Sequence, residues 1–321
     1  MTATKTAIRQ AYAARSSAVQ GALPFLALVL VVVLFLAVTK GRLFATDNLR
    51  LLVGQVFSVM VIALGAQFVM AHGAFDLTIG GNVAVSMLVG GLVLRSTESA
   101  VLAFVVMLLL AVGVAFVNGG ISSYFGLPAF LTSLILMFIL RGVVQYAASV
   151  EILKLDGRWG VFDNYVAKGL VLLGCIGVTW YLFSFTKVGK YNRLIGGNAT
   201  ASNILGVPVA RYKLIAYLIT GVTVAIAAFF ALARERYVSG STASGLEFDV
   251  IVALIFGGMP LAGGARARFR ASIVGALILT VLFNGMILWG LDTGVVALVR
   301  GLLFVVIVFV GFKRTRGPLP K

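Results

Sequence analysis

The sequence predicts an all-α polytopic membrane protein with about ten transmembrane helices, some of them short or broken, and with both termini in the cytoplasm. The first observation behind this prediction is composition, because 61% of the 321 residues are apolar and only 11% are charged. The second is a series of long apolar runs, and the third is an uneven distribution of lysine and arginine between them. A soluble domain of this length would need more polar surface, whereas helices that face lipid need none.

The apolar runs approach about 20 residues, the length that carries an α-helix across about 30 Å of hydrocarbon. Eight of them are clear, at residues 22–39, 51–70, 100–117, 129–148, 170–185, 214–233, 271–290 and 295–312. Two shorter runs, 80–94 and 250–262, each adjoin a glycine-rich stretch, so we predict broken or re-entrant helices there. The first run also fits a signal peptide, but its length and the lack of a small-residue cleavage site favour a retained helix.

The basic residues are concentrated in one set of loops. With ten crossings both termini lie on the same side, so the positive-inside rule can compare two sets of loops. The set with both termini and the segments 187–213 and 266–270 carries 15 of the 26 lysines and arginines. The other set carries nine basic and nine acidic residues, and its net charge is zero. We therefore expect both termini in the cytoplasm, and the excess positive charge needs no nucleic-acid partner.

The sequence lacks the motifs of the common enzyme classes. No HExxH, CxxC or GxSxG pattern occurs, and there is no GxxxxGK[ST] loop to hold the phosphates of ATP. One histidine and one cysteine give no metal-ligand set, so we expect neither a metal nor a cofactor. We predict a single transmembrane domain over residues 1–321 that acts in transport and is not an enzyme, with any ATP hydrolysis supplied by a partner.

The stretch AHGAFDLTIGGN, residues 71–82, places Asp76 among glycines between two apolar runs. Gly73, Gly80 and Gly81 allow the chain to unwind, and an aspartate in such a break can cap the helix that follows. Acids inside a membrane are also costly and often functional, so a substrate path or a moving hinge is the alternative interpretation. The residues alone give the two interpretations equal weight.

Several segments carry a resemblance to one family. GAFDLTIGG resembles the GGIDLSVGS-type signature of the permease subunits of bacterial ABC importers for monosaccharides, the branch with ribose, xylose, galactose and autoinducer-2 systems. The other segments follow the family's order, and they are NGGISSYFGLPAFLTSLILMFILRG, GGNATASNILGVPVARYK, GLEFDVIVALIFGGMPLAGG, FNGMILWGL and VRGLLFVVIV. The signature departs at Ala74 and Phe75, where Gly and Ile are usual. Ala199 stands where the family has a glutamate, and Met259 and Pro260 stand where it has Thr and Ser. These departures make the identity of the substrate less certain than the class of transporter.

The resemblance implies a permease subunit of an ATP-binding cassette importer, which forms the translocation pathway for a monosaccharide or related small polyol in a bacterial inner membrane. It implies three partners within or beside the lipid bilayer: a cytoplasmic ATP-binding subunit, an extracytoplasmic substrate-binding protein, and a second permease copy or paralogue. The residues predicted to form the substrate pathway or a hinge are Gly73, Phe75, Asp76, Gly80, Asn118 and Asn284. On the residues alone, the two asparagines fit hydrogen-bonded contacts between helices better than substrate ligands.

The predicted ATPase-coupling segment lies in the largest cytoplasmic loop, within residues 196–213. Asn198 fits the N-cap of a helix of about two turns, which Gly206 and Pro208 would end. An interfacial helix on the membrane surface is the alternative, but the resemblance favours docking to the ATPase. The residues assigned to this segment are Gly197, Asn198, Ala199, Thr200, Ala201 and Gly206.

The alternative function is an ion-coupled secondary transporter of a small polar solute, in which Asp76 and unwound backbone bind the coupling ion. Nine of the ten acids, Glu247 and Asp249 among them, are predicted in outer loops, which leaves Asp76 almost alone within the membrane. Arg141 and Arg300 lie in or beside spans, and we expect them to snorkel to the head groups. Pairing with a buried carbonyl or acid is the other interpretation.

Overall fold

The computed structural model of the chain describes residues 21–314. These residues are mostly helical, and short loops join the helices. The α-helices in chain order are α1 (Gly21–Val38), α2 (Thr46–Ala71), α3 (Thr78–Thr97), α4 (Ala100–Tyr124), α5 (Ala129–Val150), α6 (Tyr165–Ser184), α7 (Lys187–Gly197), α8 (Ala199–Ile204), α9 (Val209–Glu235), α10 (Leu246–Phe256), α11 (Arg270–Leu288) and α12 (Thr293–Arg314). Two 3-10 helices, Arg42–Phe44 and Gly157–Phe162, and the antiparallel strands β1 (Leu153–Lys154) and β2 (Tyr237–Val238) complete the described elements.

The helices confirm the predicted fold class. Within residues 21–314, eight helices are long and apolar enough to cross a membrane, and they are α1 to α6, α9 and α11. All eight clear apolar runs of the sequence are helical, the last one within α12, whose apolar stretch Thr293–Val306 is shorter. Five of the seven basic residues at the chain ends that support the predicted orientation lie outside the described residues, namely Lys5, Arg9, Arg15, Arg316 and Lys321.

The two segments predicted to be short or broken differ from each other. The run 80–94 belongs to α3, a continuous helix of 20 residues, because the break lies ahead of the helix, at residues 72–77. The run 250–262 is only half helical, since α10 has 11 residues and ends before Gly257 and Gly258. At 1.5 Å per residue α10 reaches about 16 Å, which is too short to cross a bilayer.

The buried core lies within a subset of the helices. In α2, α3, α9 and α11 the most apolar stretches are 61% to 78% buried, whereas in α1, α4, α5 and α6 they are 11% to 28% buried. Leucine, valine and phenylalanine dominate the exposed surface of the outer helices, as lipid contact requires. The bundle therefore has an inner group of helices that hold the packing and an outer group that covers them.

The short helix α10 lies directly on the backbone of α11. A Cβ atom added to Gly275 would lie 1.7 Å from the carbonyl oxygen of Ala253, and one added to Gly257 would lie 1.9 Å from that of Ala271. Only glycine permits this main-chain approach between two helices. Strand β2 and helix α8 mark opposite ends of α9, and we call these ends of the bundle the strand end and the α8 end.

Candidate functional site

The break between α2 and α3 is closed by hydrogen bonds around Asp76. Its Oδ1 atom accepts from the backbone N–H of Thr78 at 2.9 Å, from the Thr78 hydroxyl at 2.6 Å and from Nδ2 of Asn118 at 3.0 Å. Gly73 provides the turn after α2 with a φ of 85°. The N-cap residue itself is Leu77, but the Asp76 carboxylate one position earlier accepts the first N–H of α3 and ties this end to α4, so it satisfies a freed backbone donor as the capping interpretation requires.

The two glycines of the DLTIGG stretch bring α3 against its neighbours. A Cβ atom at Gly80 would lie 1.9 Å from Oε2 of Glu247 and 2.7 Å from Nη2 of Arg141. A Cβ atom at Gly81 would lie 2.9 Å from the Cβ of Leu140. The start of α3 therefore packs on both α5 and α10, and Gly80 makes room for a charged pair that these two helices form.

That charged pair joins Arg141 of α5 to the first turn of α10. The Arg141 guanidinium donates to the carbonyl oxygens of Thr242 and Ala243 at 2.6 and 2.5 Å, and to Oε2 of Glu247 at 3.4 Å. The guanidinium holds the turns that lead into α10 as well as the helix itself. The position of Glu247 in the first helical turn adds a favourable interaction with the helix dipole.

A second charged pair lies on the other side of α10. Nε of Arg300, on α12, lies 2.8 Å from Oδ1 of Asp249, and the guanidinium also stands 4.9 Å from the ring centre of Phe283. The expected snorkelling of Arg141 and Arg300 is therefore wrong, because each arginine has an acidic partner within the bundle.

The predicted placement of Glu247 and Asp249 in an outer loop is also wrong. Both belong to the first turn of α10 and are buried, at 4% and 8% relative exposure. Asp76 is consequently not the only buried acid near the spans. The available signal was the pair of mid-span arginines, since an intramembrane arginine usually has a charged or carbonyl partner.

The predicted pathway or hinge residues divide into two places. Gly73, Phe75, Asp76, Gly80 and Asn118 meet at the break before α3. Asn284 instead exchanges two hydrogen bonds with Asn48, of 2.9 and 3.0 Å. Asn48 lies near the start of α2, whereas the break follows the end of α2. The Asn48–Asn284 pair is therefore separated from the break by about 35 Å of helix. Asn284 thus joins α11 to α2, in agreement with its interpretation as a contact between helices.

The predicted coupling segment forms the short helix α8 and its flanks. The Asn198 side chain accepts from the backbone N–H of Ala201 at 2.9 Å, which confirms the predicted N-cap, and Gly206 follows the helix with a φ of 77°. Ile204 and Leu205 are 82% and 78% exposed. All six residues assigned to the segment are exposed as well, namely Gly197, Asn198, Ala199, Thr200, Ala201 and Gly206.

The coupling segment contacts the break region through main-chain atoms. A Cβ atom at Gly196 would lie 2.2 Å from the carbonyl oxygen of Ala71, and that same oxygen accepts from the N–H of Gly264 at 2.9 Å. Nδ1 of His72 lies 3.0 Å from Oδ1 of Asn192, which adds a side-chain contact between α7 and the end of α2. We call the meeting point of Ala71, Gly196 and Gly264 the glycine junction.

The ion pair between Arg158 and Glu98 at the strand end is exposed and distinct from this site. Nη2 of Arg158 lies 2.6 Å from Oε1 of Glu98, and its hydrogen bond and positive charge lower the pKa of the Glu98 carboxyl. Within residues 21–314, no group of three histidine, cysteine or acidic side chains is placed to hold a metal ion.

Comparison with known proteins assigns the chain to a class. A sequence model of the family described as "Branched-chain amino acid transport system / permease component" matches residues 48–310. The ribose import permease protein RbsC of Escherichia coli strain K12 is 27% identical over 295 residues, which cover 89% of this chain and 92% of that protein. The L-arabinose ABC transporter permease protein AraH of Azospirillum brasilense is 26% identical, with 88% and 85% covered. The autoinducer 2 import system permease protein LsrC of Photorhabdus laumondii is 26% identical, with 82% and 81% covered. No solved structure matches the chain.

Proposed function

Because the chain belongs to the family described as branched-chain amino acid transport system / permease component, we propose that it forms the translocation pathway of an ATP-driven importer for a monosaccharide or related small polyol. The observation that carries this proposal is the similarity to permeases named for ribose, L-arabinose and autoinducer 2, which extends over at least 81% of each of those chains. The family description names branched-chain amino acids but covers many permeases. Similarity to individual permeases over nearly their whole length is therefore the better guide to the solute.

The exposed helix α8 supports the ATP-binding subunit among the proposed partners, and the family supports the others. In this proposal a cytoplasmic ATP-binding subunit docks on the segment from Gly197 to Gly206, so the α8 end and both termini face the cytoplasm. An extracytoplasmic binding protein delivers the sugar at the strand end, and a second permease copy or paralogue completes the pathway in the inner membrane. The capped helix with exposed Ile204 and Leu205 supports docking by shape and apolar contact, which needs no glutamate at Ala199.

The break before α3 is proposed to serve as a hinge beside the pathway, built from Gly73, Phe75, Asp76, Gly80 and Asn118. Its support is the glycine junction, through which the end of α7, just ahead of α8, contacts the end of α2. Asn284 is proposed to act by joining α11 to α2. An ion-coupled carrier gains no support here, because Oδ1 of Asp76 already accepts three hydrogen bonds from the protein.

The test is to purify the chain from its native membrane in mild detergent and to identify the proteins that accompany it. We expect a nucleotide-binding ATPase in a fixed ratio, and sugar uptake that depends on ATP and persists when ion gradients are abolished. Leu205→Asp places a charge on the proposed docking surface and should reduce the ATPase recovered with the permease.

The matched control is Val161→Asp, because Val161 is 72% exposed, close to the 78% of Leu205, but lies at the strand end. This variant should keep its ATPase. Purification without any ATPase, combined with uptake that collapses when the ion gradient is abolished, would establish the secondary transporter instead. Equal loss of the ATPase in both variants would contradict docking at α8.

A further inference from the structure

The two arginine–carboxylate pairs lie at similar depths inside the bundle. Arg141 stands nine residues before the end of α5, and Arg300 stands seven residues after the start of α12. Those two helix termini belong to the strand end, so the pairs lie about 14 Å and about 10 Å from it. Both distances place the charges within the hydrocarbon layer of a membrane about 30 Å thick.

These charges are not fully covered by the chain. The side chains of Arg141 and Glu247 are 13% and 5% exposed, whereas those of Arg300 and Asp249 are 28% and 11% exposed. Contact between lipid tails and a charged side chain is costly, so exposed intramembrane charges face a water-filled cavity or a polar partner. The accessible part of the Arg300–Asp249 pair therefore marks a face that meets water rather than lipid.

Aromatic rings stand beside the charges on this face. Phe248 lies in sequence between Glu247 and Asp249, and its ring meets that of Phe304 edge to face at 4.9 Å. Both rings are half-buried, and they border the apolar cluster that joins α5, α10, α12 and the break before α3. Aromatic rings next to charged hydrogen-bonding groups suit a sugar, which has apolar C–H faces and hydroxyl groups that both donate and accept.

We propose that the face made by Phe248, Asp249, Arg300 and Phe304 lines the aqueous pathway and contacts the sugar as it passes, with Arg141 and Glu247 fixing α10 behind it. This inference rests on the proposed function and specifies its sugar-contacting residues. Asp76 is not part of this face, because it is 4% exposed and its Oδ1 is held by Thr78 and Asn118.

The first test measures which face of α12 meets water, and it needs no transport. Cys175, the only cysteine of the sequence, is replaced by alanine, and Phe304→Cys and Leu302→Cys are each treated in membranes with a charged, lipid-impermeant thiol reagent. In the isolated chain Leu302 is 58% exposed, whereas Phe304 is less exposed because it is half-buried. Exposure alone would therefore favour labelling at position 302. We expect the opposite, with Phe304→Cys labelled and Leu302→Cys protected by lipid. Labelling of Leu302→Cys alone, or of neither variant, would overturn the proposal.

The second test measures sugar preference in the permease–ATPase complex reconstituted in liposomes, with ribose and L-arabinose as probes. Phe248→Leu and Arg300→Lys should each change the ratio of the two uptake rates by about threefold or more, since they alter contacts that differ between two sugars. The matched controls are Phe104→Leu and Arg234→Lys. Phe104 is half-buried in an edge-to-face pair at 5.5 Å, and Arg234 is 30% exposed beside Glu235.

The controls should leave the ratio unchanged. If the ratio shifts no more in Phe248→Leu and Arg300→Lys than in the controls, this face does not contact the sugar and the inference is wrong. If the unmodified complex transports neither probe while the labelling of Phe304→Cys still holds, the pathway face stands and the proposed sugar substrate is the part that fails.

Discussion

The break before α3 and the start of α10 hold buried acids in opposite ways. At the break, Asp76 receives three hydrogen bonds from neutral donors and is almost completely covered. At the start of α10, Glu247 and Asp249 face arginines on two other helices, and one of these pairs is partly accessible. The more recognisable motif is thus held by neutral hydrogen bonds, and the less recognisable segment carries the charged pairs that we propose the solute meets.

Gly80 connects these two regions, so its substitution should have the largest effect. The Cβ atom of Gly80→Ala would collide with Glu247 and Arg141. Because the variant both overpacks this contact and disrupts a buried ion pair, it should lower the free energy of unfolding by about 4 kcal/mol. We expect little folded protein in the membrane and a strongly lowered thermal midpoint in detergent.

The control for Gly80 is Gly177→Ala in α6, where no atom lies within 4 Å of the added Cβ. Alanine should stabilise that helix slightly, by up to about 1 kcal/mol. Equal thermal midpoints for the two variants would show that α3 does not pack on the charged pair as described.

The two charged pairs should differ in what they stabilise. Arg141→Gln removes the partner of Glu247 and weakens two carbonyl contacts, so it should cost about 3 kcal/mol of folding stability. Arg300→Gln affects a more accessible pair and should cost about 1 kcal/mol. Double-mutant cycles with Glu247→Gln and Asp249→Asn, read from denaturation midpoints, measure each coupling, and a larger coupling for the Arg300 pair would reverse this ranking.

Asp76 should respond as a capping residue. Asp76→Ala leaves the N–H of Thr78 and the amide of Asn118 without their buried acceptor, which should cost about 2 kcal/mol. Asp76→Asn keeps an acceptor oxygen and should cost about 1 kcal/mol. Thermal midpoints would give this order, and uptake by Asp76→Asn should show no new dependence on an ion gradient. If uptake by Asp76→Asn did depend on an ion gradient, Asp76 would be an ion ligand and the capping interpretation would be wrong.

The smallest effect is expected at the strand end, where Glu98 and Arg158 are 61% and 52% exposed. Arg158 lowers the pKa of Glu98 from its ordinary value of 4.5, so any stabilisation is present above pH 4.5 and is lost as the pH falls through the lowered pKa. Solvent screens this pair, and Glu98→Gln should leave the thermal midpoint at pH 7 unchanged within error. A clear decrease would show that strand-end charges matter to the fold.

Hydropathy and local turn chemistry explain how much of the fold was predictable. The long apolar runs gave the spanning helices, and Asn198 was recognisable as an N-cap because capping depends on residues three apart. The length of α3 was underestimated because its glycines suggest a break, whereas they serve close packing on α5 and α10. Local sequence cannot distinguish these two uses of glycine.

The charged pairs were missed because their partners are distant in sequence. Arg141 and Glu247 are 106 positions apart, and acids placed just before an apolar run resemble an ordinary loop. The pairing of Asn48 with Asn284 spans 236 positions and leaves no local pattern. The five motif residues at the break were predicted as a group because four of them lie within a single short stretch.

The glycine junction has a consequence for how such a permease can diversify. Its contacts join peptide groups of Ala71, Gly196 and Gly264, so exchange of the surrounding side chains leaves them in place as long as the glycines remain. If the proposed hinge acts through this junction, its main-chain contacts do not depend on the chemistry of the solute. An importer built in this way can acquire a different solute by changing a few side chains along its pathway, while the main-chain contacts of the junction stay the same.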